Sequence, residues 1–422
     1  MSGLKRLLNS PFFITAKLIL KETLPGLVGG KTWIWLDPRK DRQILVKIQE
    51  AYEKLQSSPE CNSLLKKHLT QSLLKEISHK STKYGGTLYH VIRSGVKNLD
   101  SHIGVSASDP DAYMVFSELY DKIIYDLHGY KPDQTHPKSY FGDHEIYDKT
   151  NTRQSLPPLD PENKYIKSTR IRCARMLKGY PFNSLMTESH YMDIENKLKE
   201  RIRSMQEDWF HSNSEMMKNP DMVEILDGDY YHLSNMQLEV YEQLVKDRII
   251  FRDDCRFLKA SNGIRFWPNG RGVYFNRAEN FLIWVNEEDH LRFISMERGS
   301  DVAKVYHRLA TGVKEISQGL SYVWDDHLGW LTYGPANLGS TIRASVIVKL
   351  PNLSKKNDFS TICNSLNLQI REVGIEDQTR IYDISNRQRL GLTELEAVRQ
   401  MYDGVKELIS MEDNKIRSVL PN

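Results

Sequence analysis

The apolar residues of this chain keep a helical period through its first third and mix strand and helix patterns later, and that contrast limits what it can fold into. Ile44, Val46, Ile48, Tyr52 and Leu55 recur at helical spacing, and Leu64, Leu65, Leu69, Leu73, Leu74 and Ile77 continue the pattern. A Gly- and Ser-containing stretch, Ser94 to Asp109, reads as a loop. Beyond it Tyr113, Phe116, Leu119, Tyr120 and Ile123 give a further helix an apolar face, from about Pro110 to Leu127. Later the pattern differs. Phe281–Val285 and Leu291–Met296 are dense in β-branched and aromatic residues and flank a charged turn, which suits two adjacent antiparallel strands. Ala344–Leu350 reads as another strand, and helical segments intervene at Thr187–Arg203, Gln237–Asp247, Val302–Glu315 and Thr393–Met411. The fold class predicted is α+β: a small all-helical N-terminal domain, residues 43–130, and a large domain, residues 163–412, of antiparallel β-sheet flanked by helices. Residues 131–162 form the predicted linker. Within it, His136 to Glu162 is polar and rich in Pro, a composition that cannot bury a core. Residues 413–422 are left as a tail.

Charge and composition exclude several classes of function. Hydrophobic residues make up 40% and charged residues 27%, which argues against a largely disordered chain. Fifty-eight Lys and Arg against 55 Asp and Glu leave +3, too balanced for a nucleic-acid face set by net charge. No membrane-spanning run is present; the best candidate, Phe12–Leu24, is cut by Lys17, Lys21 and Glu22. Cys61, Cys173, Cys255 and Cys363 make no CxxC pair, and His290 and His307 have no ligand spacing, so no resident metal or disulfide framework is expected. Dispersed thiols fit a reducing, cytoplasmic compartment. Residues 1–42 read as an extension whose first 21 positions hold Lys5, Arg6, Lys17 and Lys21 and no acid. A mitochondrial type of presequence within residues 1–40 and a flexible extension are both open readings.

The informative chemistry lies in arginines beside short polar motifs. Arg170 and Arg172 alternate, so on a strand both project to one face. Arg292 follows a run of acids and His290, and Arg343 follows Asn337-Leu-Gly-Ser-Thr-Ile342. If these four converge, they form a cradle for a nucleoside triphosphate, because guanidinium forks bind phosphate oxygens bidentately and keep their charge. The alternative for each arginine is an ordinary surface ion pair.

These arginines sit in segments that resemble those of the phosphagen (ATP:guanidino) kinases, most of all the arginine-kinase type. The segments are Tyr165-Ile-Lys-Ser-Thr-Arg-Ile-Arg-Cys173, Leu177-Lys-Gly-Tyr-Pro-Phe-Asn183, Arg265-Phe-Trp-Pro-Asn-Gly-Arg-Gly272, Trp284-Val-Asn-Glu-Glu-Asp-His-Leu-Arg292, Asn337-Leu-Gly-Ser-Thr-Ile-Arg-Ala-Ser345 and Tyr382-Asp-Ile-Ser-Asn386. The likeness runs from about Val46 to Leu408 and leaves out an insertion near Trp209–Met222. It implies the same two-domain fold and reversible transfer of the γ-phosphoryl group of Mg-ATP to a guanidino nitrogen, with Mg²⁺ carried on the phosphates.

Residue by residue, the resemblance implies ATP binding by Ser168, Arg170, Arg172, Arg248, Arg292 and Arg343. It implies catalytic carboxylates at Glu288 and Glu376, which would align a guanidino nitrogen and take its proton. Ser101, Ile103, Gly104, Val105 and Ser106 would hold the acceptor, L-arginine or another guanidino compound, on a loop of arginine-kinase length. Asp100 and Arg256 match a pair that bridges the domains on closure. The chain also departs from the family. Gly334 stands for a reactive Cys, Ser106 for a Tyr, Gly374 for an Arg, Asp377 for a His, and Arg248 and Ile347 for His residues. The stretch Arg371–Thr379, on a mobile loop in the family, leaves a segment about three residues short before Tyr382. These departures motivate a second expectation, a paralogue that keeps the fold and binds nucleotide or a partner without catalysis. Monomer and homodimer are equally compatible with the sequence.

Overall fold

The computed structural model describes residues 26–28, 31–37, 39–142, 156–211, 220–247 and 249–419. Six helices follow a short antiparallel pair of strands: Arg42–Ser57, Leu64–His68, Gln71–Ile77, Leu88–Lys97, Ala112–Val115 and Ser117–His128. Hydroxyl caps start two of them. Ser63 Oγ accepts from the Lys66 amide at 3.1 Å, and Thr70 Oγ1 from the Leu73 amide at 3.3 Å. Gly129, with φ 65°, ends the last in the left-handed conformation that glycine adopts without strain. Their apolar faces, among them Ile48, Leu55, Leu65, Leu74, Val91, Ile92, Phe116 and Ile123, close one core.

Two boundaries differ from the sequence-based expectation. The loop begins at Asn98 rather than Ser94, because Asn98 caps the helix with its amide and its side chain, both on the Ser94 carbonyl, at 3.0 and 2.9 Å. The expected helix from Pro110 is broken at Phe116, whose φ of −113° and ψ of 31° leave the helical region.

An eight-stranded antiparallel sheet forms the large domain: β1 Ile166–Arg175, β2 Gly228–His232, β3 Gly272–Asn276, β4 Phe281–Val285, β5 Leu291–Arg298, β6 Arg343–Lys349, β7 Leu368–Glu376 and β8 Thr379–Asn386, in the order β7-β8-β6-β1-β5-β4-β3-β2. The alternation of side chains divides it. Ile171, Cys173, Leu291, Phe293, Ala344, Val346 and Val348 point into a core shared with the helices Val302–Ile316 and Glu394–Val419. Their neighbours in sequence point to the other face. The small domain's core extends onto Met176, Phe182, Leu258, Leu331, Tyr333 and Leu338, which lie in connections beyond the strand ends, so the two domains meet beside the sheet.

The connection packs more than its composition suggests. Phe141, Leu156 and Leu159 are buried against the large-domain core, single apolar residues that leave no periodic trace. Residues 143–155 of it lie outside the described residues.

Arg175 and Glu394 are both 1% exposed and pair at 3.3 Å behind the sheet, with Ser139 and Trp330 also donating to the carboxylate. Glu394→Gln should therefore destabilise the large domain by about 3–5 kcal/mol, since it strands a buried guanidinium. A lowered urea midpoint, with turnover per folded molecule unchanged, is the expected reading.

Candidate active site

Strand register settles whether the arginines converge. Arg343 pairs directly with Arg172, and Arg292 with Ala174, so Arg170, Arg172, Arg292 and Arg343 all project from the sheet face opposite the helices Val302–Ile316 and Glu394–Val419. Ser168 and its partner Ile347 share that face further along. The Trp284 ring lies 5.4 Å from the Arg170 guanidinium and 6.0 Å from that of Arg292. Two arginines that sequence motifs did not single out for the cradle join it. Burial, then Arg343, Arg371 and Arg292, brings the Arg389 guanidinium down to about 10; burial, then Arg343, also lowers Arg371. Arg172 is pushed well below the usual range by burial and then by Arg292, Arg343 and Arg170. Mutual repulsion of this kind is relieved by a polyanion.

The turn between β4 and β5 carries the acids. Asn286 takes a φ of 57°, and its amide donates to the His290 carbonyl at 2.8 Å. Asn183 Nδ2 donates to the carbonyls of Glu287 and Glu288 at 2.7 and 2.8 Å. His290 is fully buried and held neutral, its pKa lowered to about 4 by burial. Its Nδ1 accepts from the Leu177 amide and its Nε2 donates to the Pro181 carbonyl. Arg271, 1% exposed, donates to the Asn286 carbonyl at 3.0 Å. These bonds fix the turn before any ligand arrives. Arg292 reaches Glu287 at 2.6 Å, Asp289 at 2.9 Å and Glu288 at 3.4 Å. Burial opposes its charge, and the three acids outweigh burial and raise it. Burial pushes the Glu288 carboxyl up to about 7, against Arg292, with Asp289 and Glu287 adding to the rise.

Glu288 also faces a cavity of about 330 Å³, a volume suited to a small molecule. Ser101, Ile103, Gly104, Val105 and Ser106 line it from the small domain. Tyr333, Gly334, Asn337 and Cys255 line it from the large one. Gly95 lets this loop lie directly on its helix, because a Cβ there would stand 2.2 Å from the Gly104 carbonyl oxygen. At Gly334 a Cβ would meet Glu288 Oε1 at 3.1 Å, so the carboxylate is aimed at that open position.

Residues 212–415 match the family model for the C-terminal catalytic domain of ATP:guanido phosphotransferases, and residues 59–125 the model for their N-terminal domain. A probable arginine kinase of Caenorhabditis elegans is 46% identical over 373 residues, 87% of this chain and 88% of that protein. The chain belongs to the ATP:guanido phosphotransferase family. An arginine kinase of Penaeus monodon is 42% identical over 88% of this chain and 99% of its own length. The duplicated taurocyamine kinase of Schistosoma mansoni, solved with transition-state-analogue components, superposes with a TM-score of 0.78 at 34% identity over 89% of this chain. This chain spans about half the length of that duplicated kinase, 50%.

Other family positions fall elsewhere. The stretch that the resemblance makes a mobile loop is here the hairpin β7–β8, closed by Asp377 and Gln378 with φ 47° and 60°. Two successive left-handed residues make the type I′ turn that suits twisted strands, and the shortened segment zips into the sheet. Glu376 stands at its tip in an ion pair with Lys167, while Glu288 pairs with Arg292 opposite Ala174. Seven strand positions separate those two places, roughly 20 Å. Gly374 lies on β7, Asp377 pairs with Lys349 at 2.8 Å, and Arg248 lies outside the described residues. So do residues 212–219 of the insertion and residues 1–25. Asp100 and Arg256 form a two-pronged pair across the domains, at 2.9 and 2.5 Å.

Sequence reading missed Arg389, which donates to the Ile342 and Ala336 carbonyls and so ties the start of β6 to the cavity wall. Its only trace was its place just after the Tyr382–Asn386 motif. Arg271 lay inside the quoted Arg265–Gly272 segment and was given no role there.

Proposed function

We propose that this phosphotransferase moves the γ-phosphoryl group of Mg-ATP to and from the guanidino group of L-arginine or a close guanidino analogue. One observation carries the reading: Glu288 lines the cavity beside the acceptor loop and also pairs with Arg292 of the arginine face. Phosphate and acceptor sites therefore adjoin at one carboxylate. In this reading Arg170, Arg172, Arg292 and Arg343 hold the phosphates, and Ser168 and Ile347 lie toward the nucleoside end. Mg²⁺ arrives as part of the nucleotide, since it keeps substrate phosphates and waters as ligands. Glu288 aligns the guanidino group, neutralises its charge and accepts its proton. The proposal gives the proton transfer to Glu288 and leaves Glu376 as the partner of Lys167.

Coupled ATP consumption with L-arginine tests it, with Glu288→Gln as control. Turnover above that control supports the reading. Nucleotide-dependent thermal stabilisation without turnover on any guanidino compound would instead favour the non-catalytic paralogue.

The Asp100–Arg256 pair is exposed, so its part in this reading is in domain closure rather than stability. Asp100→Arg is expected to lower kcat about tenfold or more with an unchanged melting temperature. Adding Arg256→Asp should restore most of the loss. A double variant as slow as the single one would remove the pair from the mechanism.

Among the described residues no helix is long and apolar enough to cross a membrane. The proposed location is the cytoplasm; imaging fusions with and without residues 1–40 tests whether the extension redirects the protein.

A further inference from the structure

Asn337 has no part in the mechanism above, yet it borders both halves of the site. It lines the acceptor cavity beside Glu288 and Gly334, and it lines the space between Arg172, Arg292 and Arg343. Among the described residues no other side chain belongs to both linings. A phosphoryl group that leaves the arginines and arrives at the acceptor must cross the boundary where Asn337 stands.

The backbone around Asn337 is held on three sides. Its amide donates to the Gly334 carbonyl at 3.0 Å and closes the short turn Pro335–Asn337. From the small domain, His128 Nε2 donates to the Pro335 carbonyl at 2.9 Å, and Arg389 donates to the Ala336 carbonyl at 2.7 Å. The side chain, in contrast, is free. It is half-buried, and among the described residues no hydrogen bond engages its carboxamide. A carboxamide offers two N–H donors, and here they sit on a turn that is fixed before any ligand arrives. Asn337 Nδ2 is 3.9 Å from the position that a Cβ would take at Gly334, and Glu288 Oε1 is 3.1 Å from the same position. Donor and carboxylate therefore flank one gap. A neutral donor suits that place. A cation there would repel the guanidinium of the acceptor, and a second acid would repel the phosphoryl group.

We propose that Asn337 is a catalytic residue whose carboxamide N–H donates to an equatorial oxygen of the phosphoryl group in transfer. The guanidino nitrogen forms its bond to phosphorus as the bond from phosphorus to the bridging oxygen breaks. That electron pair stays on ADP, and the guanidino proton goes to Glu288. Asn337 gains and loses no proton. The inference rests on the function proposed above and adds a donor on the acceptor side of the phosphoryl group, where charge on its oxygens meets none of the four arginines.

Asn337→Ala should lower kcat about 10²–10³-fold, the value of one preorganised donor, with KM for ATP and for L-arginine within twofold. Asn337→Asp has the same shape and no donor; it should lose at least as much, and it serves as the test if Asn337→Ala does not fold. Nitrate, a planar anion shaped like the group in transfer, gives a readout without turnover. Added to the intact protein with Mg²⁺, ADP and L-arginine, it should raise the melting temperature further; in either variant it should add nothing, while ADP alone stabilises all three proteins equally. A kcat within threefold of the intact protein, a raised KM for one substrate with kcat unchanged, or an undiminished response to nitrate overturns the inference and leaves the phosphotransfer reading standing. An intact protein that turns over no guanidino compound overturns both.

Discussion

Glu288→Gln should lower kcat by about 10²–10⁴-fold, the range for loss of a positioned general base, with KM for ATP changed little. The amide keeps the shape and can still touch the acceptor, but it cannot take a proton or balance a guanidinium. Its surroundings should persist, because the backbone of residues 286–290 is held by Asn183, His290 and Arg271 rather than by the carboxylate. Glu376→Gln, at the hairpin tip, should cost less than about threefold, within the scatter of an exposed ion pair. Comparable losses in both variants would mean that the hairpin opens to bring Glu376 to the acceptor.

The pH dependence follows from the same carboxyl. In the folded protein it titrates at about 7, above its ordinary 4.5. As a base it is ready only above that value, so phosphorylation of the acceptor should rise from pH 6 to pH 8 in the intact protein. Stability runs the other way. A raised acid pKa contributes stability fully below 4.5, and that contribution is lost as pH rises through 7. The melting temperature of Glu288→Gln relative to the intact protein should therefore improve over that window. A flat difference would show that the carboxyl titrates at its ordinary value.

Arg172→Met should raise the melting temperature of the ligand-free protein and abolish its response to nucleotide. Burial and the charges of Arg292, Arg343 and Arg170 all act against Arg172, and among the leading influences only Glu287 favours it. Replacing a repelled, partly buried charge by an apolar chain of similar length can stabilise by about 1–4 kcal/mol. In a domain the size of the large one each kcal/mol moves the melting temperature by about 2–4 °C. The same change removes one fork from the phosphates, so kcat/KM should fall about 10³–10⁵-fold, the value of an arginine that stabilises phosphoryl transfer. Differential scanning fluorimetry with and without ADP reads both effects. A lower melting temperature with the nucleotide shift preserved would place Arg172 outside the phosphate site. Arg292 should behave oppositely, because three carboxylates depend on it.

The helices of the small domain and most strands of the large one were legible because period 3.6 and dense β-branched runs are local properties of the chain. Boundaries were less so. The helix through Ser94 ends where Asn98 caps it, a choice made by one side chain. The β7–β8 hairpin was hidden because an inferred loop stood in its place, and Asp377-Gln378 is not a strong I′ pair. In the site, the acceptor loop and the four arginines could be named from motifs, whereas Arg371 was only the start of a matched stretch and Arg389 was passed by. Their membership depends on strands and a loop far from Arg343 in sequence.

What the chain determined by itself is the parity of its functional residues. Arg170 and Arg172 share a face, and the acids of residues 287–289 stand just before Arg292, whatever the rest of the fold does, because backbone stereochemistry sets the alternation. What only the tertiary structure decided is which faces meet: Arg343 across from Arg172, Tyr333 across from Ser106, and Glu376 away from Glu288. Those outcomes depend on strand register and on the packing of two domains. Both are set by burying apolar surface between segments far apart in the chain, and that burial leaves no local mark on the residues it brings together.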